Sequence, residues 1–419
     1  MIRILYLQHV SIATYHLQLT TFQKKMHQNI LFVRVKSLIE SYDFSKPFSL
    51  YLKDLFKLNP KMGARDRRET RDYCYHFLRV GSNLKEEKFH VKLAVASFLC
   101  SSVKSQSLEI LLSEHSTLSI DQIEFGTDRK LEIVKEIFSD FALENIFPDI
   151  ELLSNEIDTE LFCKSFLIQP RVWIRIRKKF TEPVKSELAE LQIPFEISEV
   201  ENVLSFSPMQ KLEHLKSYEN GYFEIQDLNS QRISKFLEPK RTDVWWDACA
   251  ASGGKSLALI DKEEDIHLLA TDVRENILKN YSIRMRKIGF QGFNTQMIDL
   301  SKKSIDPSER FEGILADVPC SGSGTWSRSP ENLLKNHKSK VSEIFQPLQR
   351  KIVTNVVNHL RAGGSLVYST CSVFKAENEE NVEFFLKNLP LKLKDKEYLS
   401  GYEKKADSLF VASFEKVSN

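Results

Sequence analysis

Glycine is nearly missing from the first half of this chain. Residues 1–220 hold three, Gly63, Gly81 and Gly126, against ten from residue 250 onward. A glycine-poor stretch with long helix-forming segments reads as a helical bundle and excludes a turn-rich β architecture there. Cysteine is scarce too: Cys74, Cys100, Cys163, Cys249, Cys320 and Cys371 are the six in 419 residues. None form a C-x-x-C pair, and no His/Cys group has zinc-finger spacing, so no metal is expected. A disulfide scaffold does not suit this size, and reduced thiols in a cytoplasm fit best. No run approaches the ~18 apolar residues of a membrane span. A dominant charge is also lacking. Lys and Arg number 59 against 57 Asp and Glu, a net charge of +2. That excludes a globally basic nucleic-acid binder but leaves local basic patches open.

What is present begins with length. The chain is too long for one ordinary core, and two or three domains are the natural expectation. Apolar residues at 42% and charged residues at 28% describe a globular protein, and a monomer is expected. The start, "MIRILYLQHVSIATYHLQL", is mildly apolar, but Gln8 and His9 interrupt it and no small-residue cleavage site follows. Met26 offers an alternative start, with the first 25 residues as an unstructured leader. Apolar residues recur at helical spacing over 107–147 and over "RDRRETRDYCYHFLRVG" (65–81), where Gly81 is placed to cap a helix. Residues 1–155 are therefore expected to be helical.

The texture changes near residue 166. "PRVWIRIRKKF" (170–180) alternates, with Val172, Ile174 and Ile176 on one face and Trp173, Arg175 and Arg177 on the other. The basic, aromatic face reads equally as a solvated surface or as an RNA contact. Residues 156–235 form a small α/β module in this reading. From residue 236 a βαβ rhythm sets in. Candidate strands are 243–250, 266–273, 293–300, 313–319, 363–371 and 408–414. The fold class is α/β: an open, mostly parallel Rossmann-like sheet over 236–419, preceded by an all-α domain and the small module.

In such sheets ligands bind beyond the carboxyl ends of the strands. The first strand runs into "DACAASGGKSLAL" (247–259), where Gly253 and Gly254 allow a tight turn and close approach of a ligand. Asp272, at the tip of the second strand, is placed to accept ribose hydroxyls. Asp299 closes the third strand, for an adenine amino group or a nearby polar contact. A dinucleotide fold wants G-x-G-x-x-G, and a P-loop wants an earlier glycine before G-K-[ST]; neither is present. S-adenosyl-L-methionine has ribose and adenine but no phosphate, so it fits this loop best.

"ILADVPCSGSGTW" (314–326) and "LVYSTCSVFKAENEENV" (366–382) share a construction: a buried strand, then a cysteine at its tip, then a loop. Adjacent strands lie ~4.8 Å apart, so Cys320 and Cys371 would overlook one small volume beside the cofactor. Two thiols and an acid suit methylation at carbon-5 of a pyrimidine. A thiolate adding to carbon-6 makes carbon-5 nucleophilic. A carboxyl such as Asp317 serves ring nitrogen-3, and the second sulfur assists release. Sequence does not identify what activates the thiol, although Lys255 and a sulfonium are contributors within reach.

"DACAASGGK", "DVPCSGSG" and "YSTCS…ENEENV", with the lead-in "GYFEIQDLNSQ" (221–231), resemble the Sun/RsmB-like RNA cytosine-5 methyltransferases. The resemblance covers about half the chain. It implies S-adenosyl-L-methionine as donor and a cytosine in RNA as acceptor, ribosomal RNA ahead of transfer RNA. It implies that Cys371 attacks and Cys320 assists release. Carried over by position, Cys249, Ala250, Ala251, Ser252, Gly253, Gly254 and Lys255 form the cofactor loop, and Asp272, Asp299 and Asp317 match the family's acids. Ser252 stands where the family usually has proline. "TWSRSPE" (325–331) keeps Arg328, Pro330 and Glu331 but has Ser327 where a second arginine is common, which weakens an expected RNA contact. "GARDRRETRDYCY" (63–75) faintly resembles a NusB-like RNA-binding domain. Three other readings stay in view. A DNA cytosine-5 methyltransferase would use Cys320 as the attacking thiol. A non-catalytic assembly factor would grip RNA through Trp173, Arg175 and Arg177. A nicotinamide oxidoreductase lacks its phosphate motif. "RIRKKF" and "IRMRKIGF" (283–290) are candidates for holding the RNA backbone.

Overall fold

The computed structural model describes residues 30–335 and 338–418. The alternative start at Met26 lies outside the described residues. The chain divides into two compact units.

The first unit takes Met1–Pro148, Phe166–Ile168 and Ser329–Lys335. Its helices are α1 (30–40), α2 (Phe48–Leu58), α3 (Ala64–Arg79), α4 (Phe89–Cys100), α5 (Gln106–His115) and α6 (Thr127–Ile137). Helix α4 is apolar nearly all round, and Leu93–Leu99 are buried without a break, which makes it the central element. Helix α3 is two-faced: Tyr73, Cys74, Phe77 and Leu78 are buried, while Arg65 and Arg68 stay exposed. The chain leaves α3 through Gly81 at φ +56°, where a Cβ would run into the Ile146 backbone. Lys92, buried in α4, donates to the Gly81 carbonyl at 2.8 Å.

The second unit contains two sheets. The smaller is antiparallel, with β1 (Val172–Ile176), β2 (Glu196–Ile197), β3 (Val203–Phe206) and β4 (Phe223–Ile225) in the order β2-β3-β1-β4. Ile174, Ile176, Leu204, Phe206 and Phe223 pack against Val184 and Leu188 of α7 (Thr181–Glu190). The other face of β1 corrects the sequence reading. Trp173, Arg175 and Arg177 are buried and offer nothing to solvent or RNA. Both arginines pair with Asp261, and Arg177 also donates to the Ile288 carbonyl at 3.4 Å. The reason is electrostatic: Asp261 between the two guanidinium groups, with Glu224 and Glu264 near them, supplies the negative charge that lets both be buried. Of the expected RNA-gripping stretch only Lys178 and Lys179 remain exposed.

The larger sheet comprises β5 (Val244–Asp247), β6 (His267–Asp272), β7 (Phe293–Met297), β8 (Phe311–Asp317), β9 (Leu360–Thr370), β10 (Leu391–Leu399) and β11 (Leu409–Lys416). Its order is β10-β11-β9-β8-β5-β6-β7. The pairs β9–β8–β5–β6–β7 are parallel, and β11 joins β9 and β10 antiparallel. Among the helices that lie between these strands are α8 (Gly254–Ile260), α9 (Glu275–Lys287), α10 (Gln346–Val357) and α11 (Glu379–Asn388). Strand order reverses between β5 and β8, the crevice where such sheets hold ligands. Gly313 in β8 is obligatory, because a Cβ there would collide with the buried Trp245 ring of β5. The parallel register sets Asp317 of β8 opposite Ser369 of β9. The residues just beyond both tips are thereby neighbours.

Candidate active site

Three strands of the larger sheet end in an acid: Asp247 on β5, Asp272 on β6 and Asp317 on β8. Between them lies the loop 248–253. Gly253 takes φ +88°, and a Cβ there would approach Met285 Cε to 2.6 Å and Tyr281 Cδ2 to 2.8 Å. Only glycine fits both the conformation and the space. Ala251 also adopts positive φ, +45°, and its amide donates to Asp272 Oδ2 at 3.1 Å. Asp272 is otherwise held by Arg274, through the Nε at 2.9 Å and Nη2 at 3.1 Å. The Arg274 side chain is 56% exposed, so two ribose hydroxyls can take its place. The Arg274 hydrogen bonds keep the Asp272 carboxyl below its ordinary range although burial pushes the other way. Asp299, expected as a further cofactor acid, accepts from Ser301 N and Oγ at 3.1 and 2.6 Å and pairs with Lys302. Its oxygens are turned to its own loop.

Asp247 escaped the sequence reading, although its place at a strand tip matches that of Asp272 and Asp317. It is buried, with Oδ2 accepting from Ser256 Oγ at 2.6 Å and Oδ1 without a hydrogen-bond partner. Burial, with the Asp317 charge adding to it, raises its carboxyl to about 7. An orphaned buried acceptor beside a glycine turn is what a bound amine or hydroxyl of a cofactor would satisfy. The loop therefore fits S-adenosylmethionine. Burial first, then the charges of Asp247 and Asp317, lifts the Cys249 thiol far above its ordinary range, so it stays neutral. Ser252 holds Arg284 through its carbonyl and hydroxyl, each at 3.2 Å, and Arg284 pairs with Glu224. That takes Arg284 out of the expected RNA-gripping stretch 283–290, in which Arg286 and Lys287 remain exposed.

The two thiols converge. The Cys371 amide donates to Cys320 Sγ at 3.3 Å. Hydrogen bonding of the Cys320 thiol to the Cys371 side chain, then burial, then the Cys371 and Glu377 charges raise the Cys320 thiol far above its ordinary range. Cys320 is thus held as the neutral thiol. Lys255 Nζ reaches Asp317 Oδ2 at 2.6 Å, and Ser369 Oγ donates to Asp317 Oδ1 at 2.7 Å. Burial alone would lower the Lys255 ammonium, but Asp317 and Cys371 outweigh it and hold it raised. Cys371, Cys320, Lys255 and Asp317 form one cluster at the tips of β8 and β9. The loop after Cys320 is locked in place by Gly324: its amide donates to the Cys371 carbonyl and its carbonyl accepts from Ser408 N, both at 2.9 Å. A Cβ at Gly324 would strike the Ser408 carbonyl.

Arg328 departs from the expected RNA contact. Its Nε lies 2.8 and 3.0 Å from the two oxygens of Asp407, and Nη2 lies 2.8 Å from Asp227 Oδ2. It neutralises two carboxylates that are each nearly buried. Arg328→Ala should destabilise the fold by about 2–4 kcal/mol, the lower end allowing for a guanidinium that is partly solvated. RNA affinity should hardly change. Burial, then Asp227, raises Asp407 to about 7. A carboxyl with a raised folded value favours folding below its unfolded pKa and loses that contribution as pH climbs through about 7. Without Arg328 the rise is larger, so the variant's deficit in thermal melting should be greater at pH 8 than at pH 5.

A Rossmann-like sheet with a glycine turn and tip acids at its switch point defines a class I methyltransferase. Residues 234–409 match the 16S rRNA methyltransferase RsmB/F family. The chain is 23% identical over 403 residues to the ribosomal RNA small subunit methyltransferase B of Yersinia pestis bv. Antiqua (strain Angola), covering 86% of this chain and 91% of that one. The solved structure of PH0851 superposes over 92% of this chain and 98% of its own, with a TM-score of 0.69 at 21% identity. NSun6 from Pyrococcus horikoshii with SFG covers 65% and 99%, with a TM-score of 0.58 at 20% identity. These comparisons support a Sun/RsmB-like RNA methyltransferase, with the family matched over residues 234–409. Among the described residues no helix is long and apolar enough to cross a membrane.

Proposed function

We propose that this protein transfers a methyl group from S-adenosylmethionine to carbon-5 of a cytosine in RNA, ribosomal RNA of the small subunit, in the cytoplasm. The observation that carries the reading is the meeting of Cys320 and Cys371 beside the Lys255–Asp317 pair. The helical region 1–155, with Arg65 and Arg68 exposed on α3, serves as an RNA-binding domain, and 156–235 as a module leading into the transferase domain 236–419.

When bound, the cofactor supplies an electrophilic methyl group on a sulfonium. The protein's own groups do the rest. Cys371 is the attacking thiol, the role that the resemblance implies, and the Lys255 ammonium, held raised in part by Cys371, is the cation beside it. Its sulfur adds to carbon-6, and the ring electrons shift toward carbon-5. Asp317 faces ring nitrogen-3. Bond formation removes the negative charge from Cys371 and with it one cause of the raised Cys320 thiol. Once carbon-5 carries the methyl group, Cys320 gives its proton to solvent and the resulting thiolate takes the proton on carbon-5, which restores the double bond, expels Cys371 as thiolate and leaves one proton released overall. The cytosine must first be swung out of its stack to reach this volume.

The test offers RNA from small ribosomal subunits, transfer RNA and duplex DNA to the protein with a methyl-labelled donor, followed by bisulfite mapping. Label is expected in ribosomal RNA at a single cytosine. Label in DNA would support the rival with Cys320 as nucleophile. Salt-sensitive RNA binding with no transfer would support an assembly factor.

A further inference from the structure

The segment "ENEENV" (377–382) lies outside the chemistry described so far, yet Glu377, Asn378 and Asn381 are fully buried. Glu377 Oε1 accepts from the Ser321 amide at 2.9 Å and from Gln349 Nε2 at 2.9 Å. Its Oε2 accepts from Ser321 Oγ and from Ser372 Oγ, both at 2.5 Å. Ser321 follows Cys320, and Ser372 follows Cys371. Gln349 Nε2 also donates to the Pro319 carbonyl at 3.0 Å, so Cys320 is held on both sides. Gln349 is in turn fixed by Asn381 Nδ2, 2.7 Å from its Oε1. Asn378 holds the other loop in the same way. Its Oδ1 accepts from Thr370 Oγ1 at 2.6 Å, and its Nδ2 donates to the Ser372 carbonyl at 2.9 Å. Thr370 and Ser372 flank Cys371.

We propose that Glu377 is a positioning residue: a single buried carboxylate that ties the loops after Cys320 and Cys371 together and sets the separation of the two sulfurs. As a role in catalysis it rests on the function proposed above, but the spacing itself does not. Four neutral donors surround the carboxylate, and among the described residues no ion pair with it is formed, so the group is dedicated to these loops. A carboxylate suits the task because its two acceptor-only oxygens can take four donors converging from three elements. An amide in its place presents an NH2 to donors and breaks at least one link. A loss of 10–100-fold in turnover is the usual scale when a supporting group of this kind is removed, about that for outer-shell partners at other sites.

Two measurements test this on the full-length protein. In the first, Glu377→Gln should lower kcat on RNA about 10–100-fold while KM and cofactor affinity stay within about twofold, with Glu377→Asp partly restoring kcat. In the second, diamide oxidises neighbouring thiols to a disulfide, read by mass spectrometry of unreduced peptides. Wild type should form the 320–371 disulfide at least about ten times faster than Glu377→Gln, a ratio set by effective concentration. If Glu377→Gln fails to fold, the double variant Ser321→Ala/Ser372→Ala removes two of the four links and takes its place in both measurements. Unchanged cross-linking in a folded variant overturns the proposal, as does a parallel loss of kcat, RNA binding and cofactor binding. The cross-linking needs no methyl transfer. Slowed cross-linking in a protein inactive on RNA would therefore overturn the proposed function and leave the clamp standing.

Discussion

Cys371→Ala abolishes methyl transfer in the expected result, and Cys320→Ala leaves RNA covalently attached to the protein. The asymmetry follows from the two roles proposed above. Hydrogen bonding of the Cys320 thiol to the Cys371 side chain, together with burial and the Cys371 charge, keeps Cys320 a neutral thiol. Cys371 is the sulfur assigned to attack. Without it no adduct forms, and the rate should fall by at least about 10⁴-fold, the scale seen when a covalent nucleophile is removed. Without Cys320 the addition and the methylation still proceed, but the carbon-5 proton loses its acceptor. Turnover should drop by about 10²–10⁴-fold, as for loss of a general base. A slow-migrating protein–RNA band should then accumulate on denaturing gels. The reverse pattern, a trapped band from Cys371→Ala and none from Cys320→Ala, would exchange the two roles and move this protein toward the DNA-type arrangement.

Lys255→Met should slow adduct formation about 10²–10³-fold at pH 7, the scale of removing one preorganised charge from a reacting centre. The Lys255 ammonium lies against Asp317 and is held raised by it and by Cys371. The interaction is reciprocal: a cation that a thiolate stabilises also stabilises the thiolate. Removing it moves the onset of attack to higher pH. The deficit should therefore be smaller at pH 9 than at pH 7. RNA containing 5-fluorocytosine isolates this step, because fluorine on carbon-5 blocks release. A deficit independent of pH would mean that Lys255 acts on cofactor binding instead.

The strands carrying the chemistry were legible because each combines a short apolar run with a glycine or proline stop, and the observed β5, β6, β8 and β9 fall where those runs do. β10 was not found. Its sequence, "LKLKDKEYL", places Lys392, Lys394 and Lys396 on an exposed edge, and an edge strand protected by lysines looks like a solvated charge run. The alternation of β1 was read correctly, but pattern alone cannot say what covers a face. Asp261, 84 residues from Arg177, is what turned a basic surface into an interior. Cys320 and Cys371 were found together because parallel pairing of neighbouring strands is a rule of topology. Glu377 was not, since its tie to Ser321 spans 56 residues and depends on how two loops fold back. Ser369 and Gln349 were missed for the same reason. Asp247 was missed although the recurrence of an acid at each strand tip was there to be noticed.

One feature of the large sheet bears on biosynthesis. β11, the latest of its strands to leave the ribosome, does not sit at the border; it lies between β9 and β10. Until it emerges, β9 has one bare ladder, and β9 is the strand that delivers Cys371. The Ser408 amide that fastens Gly324 arrives with the same segment. The nascent polypeptide thus completes its thiol pair only once residues 408–416 have emerged, and a chain cut before them would hold a glycine turn with no assembled nucleophile.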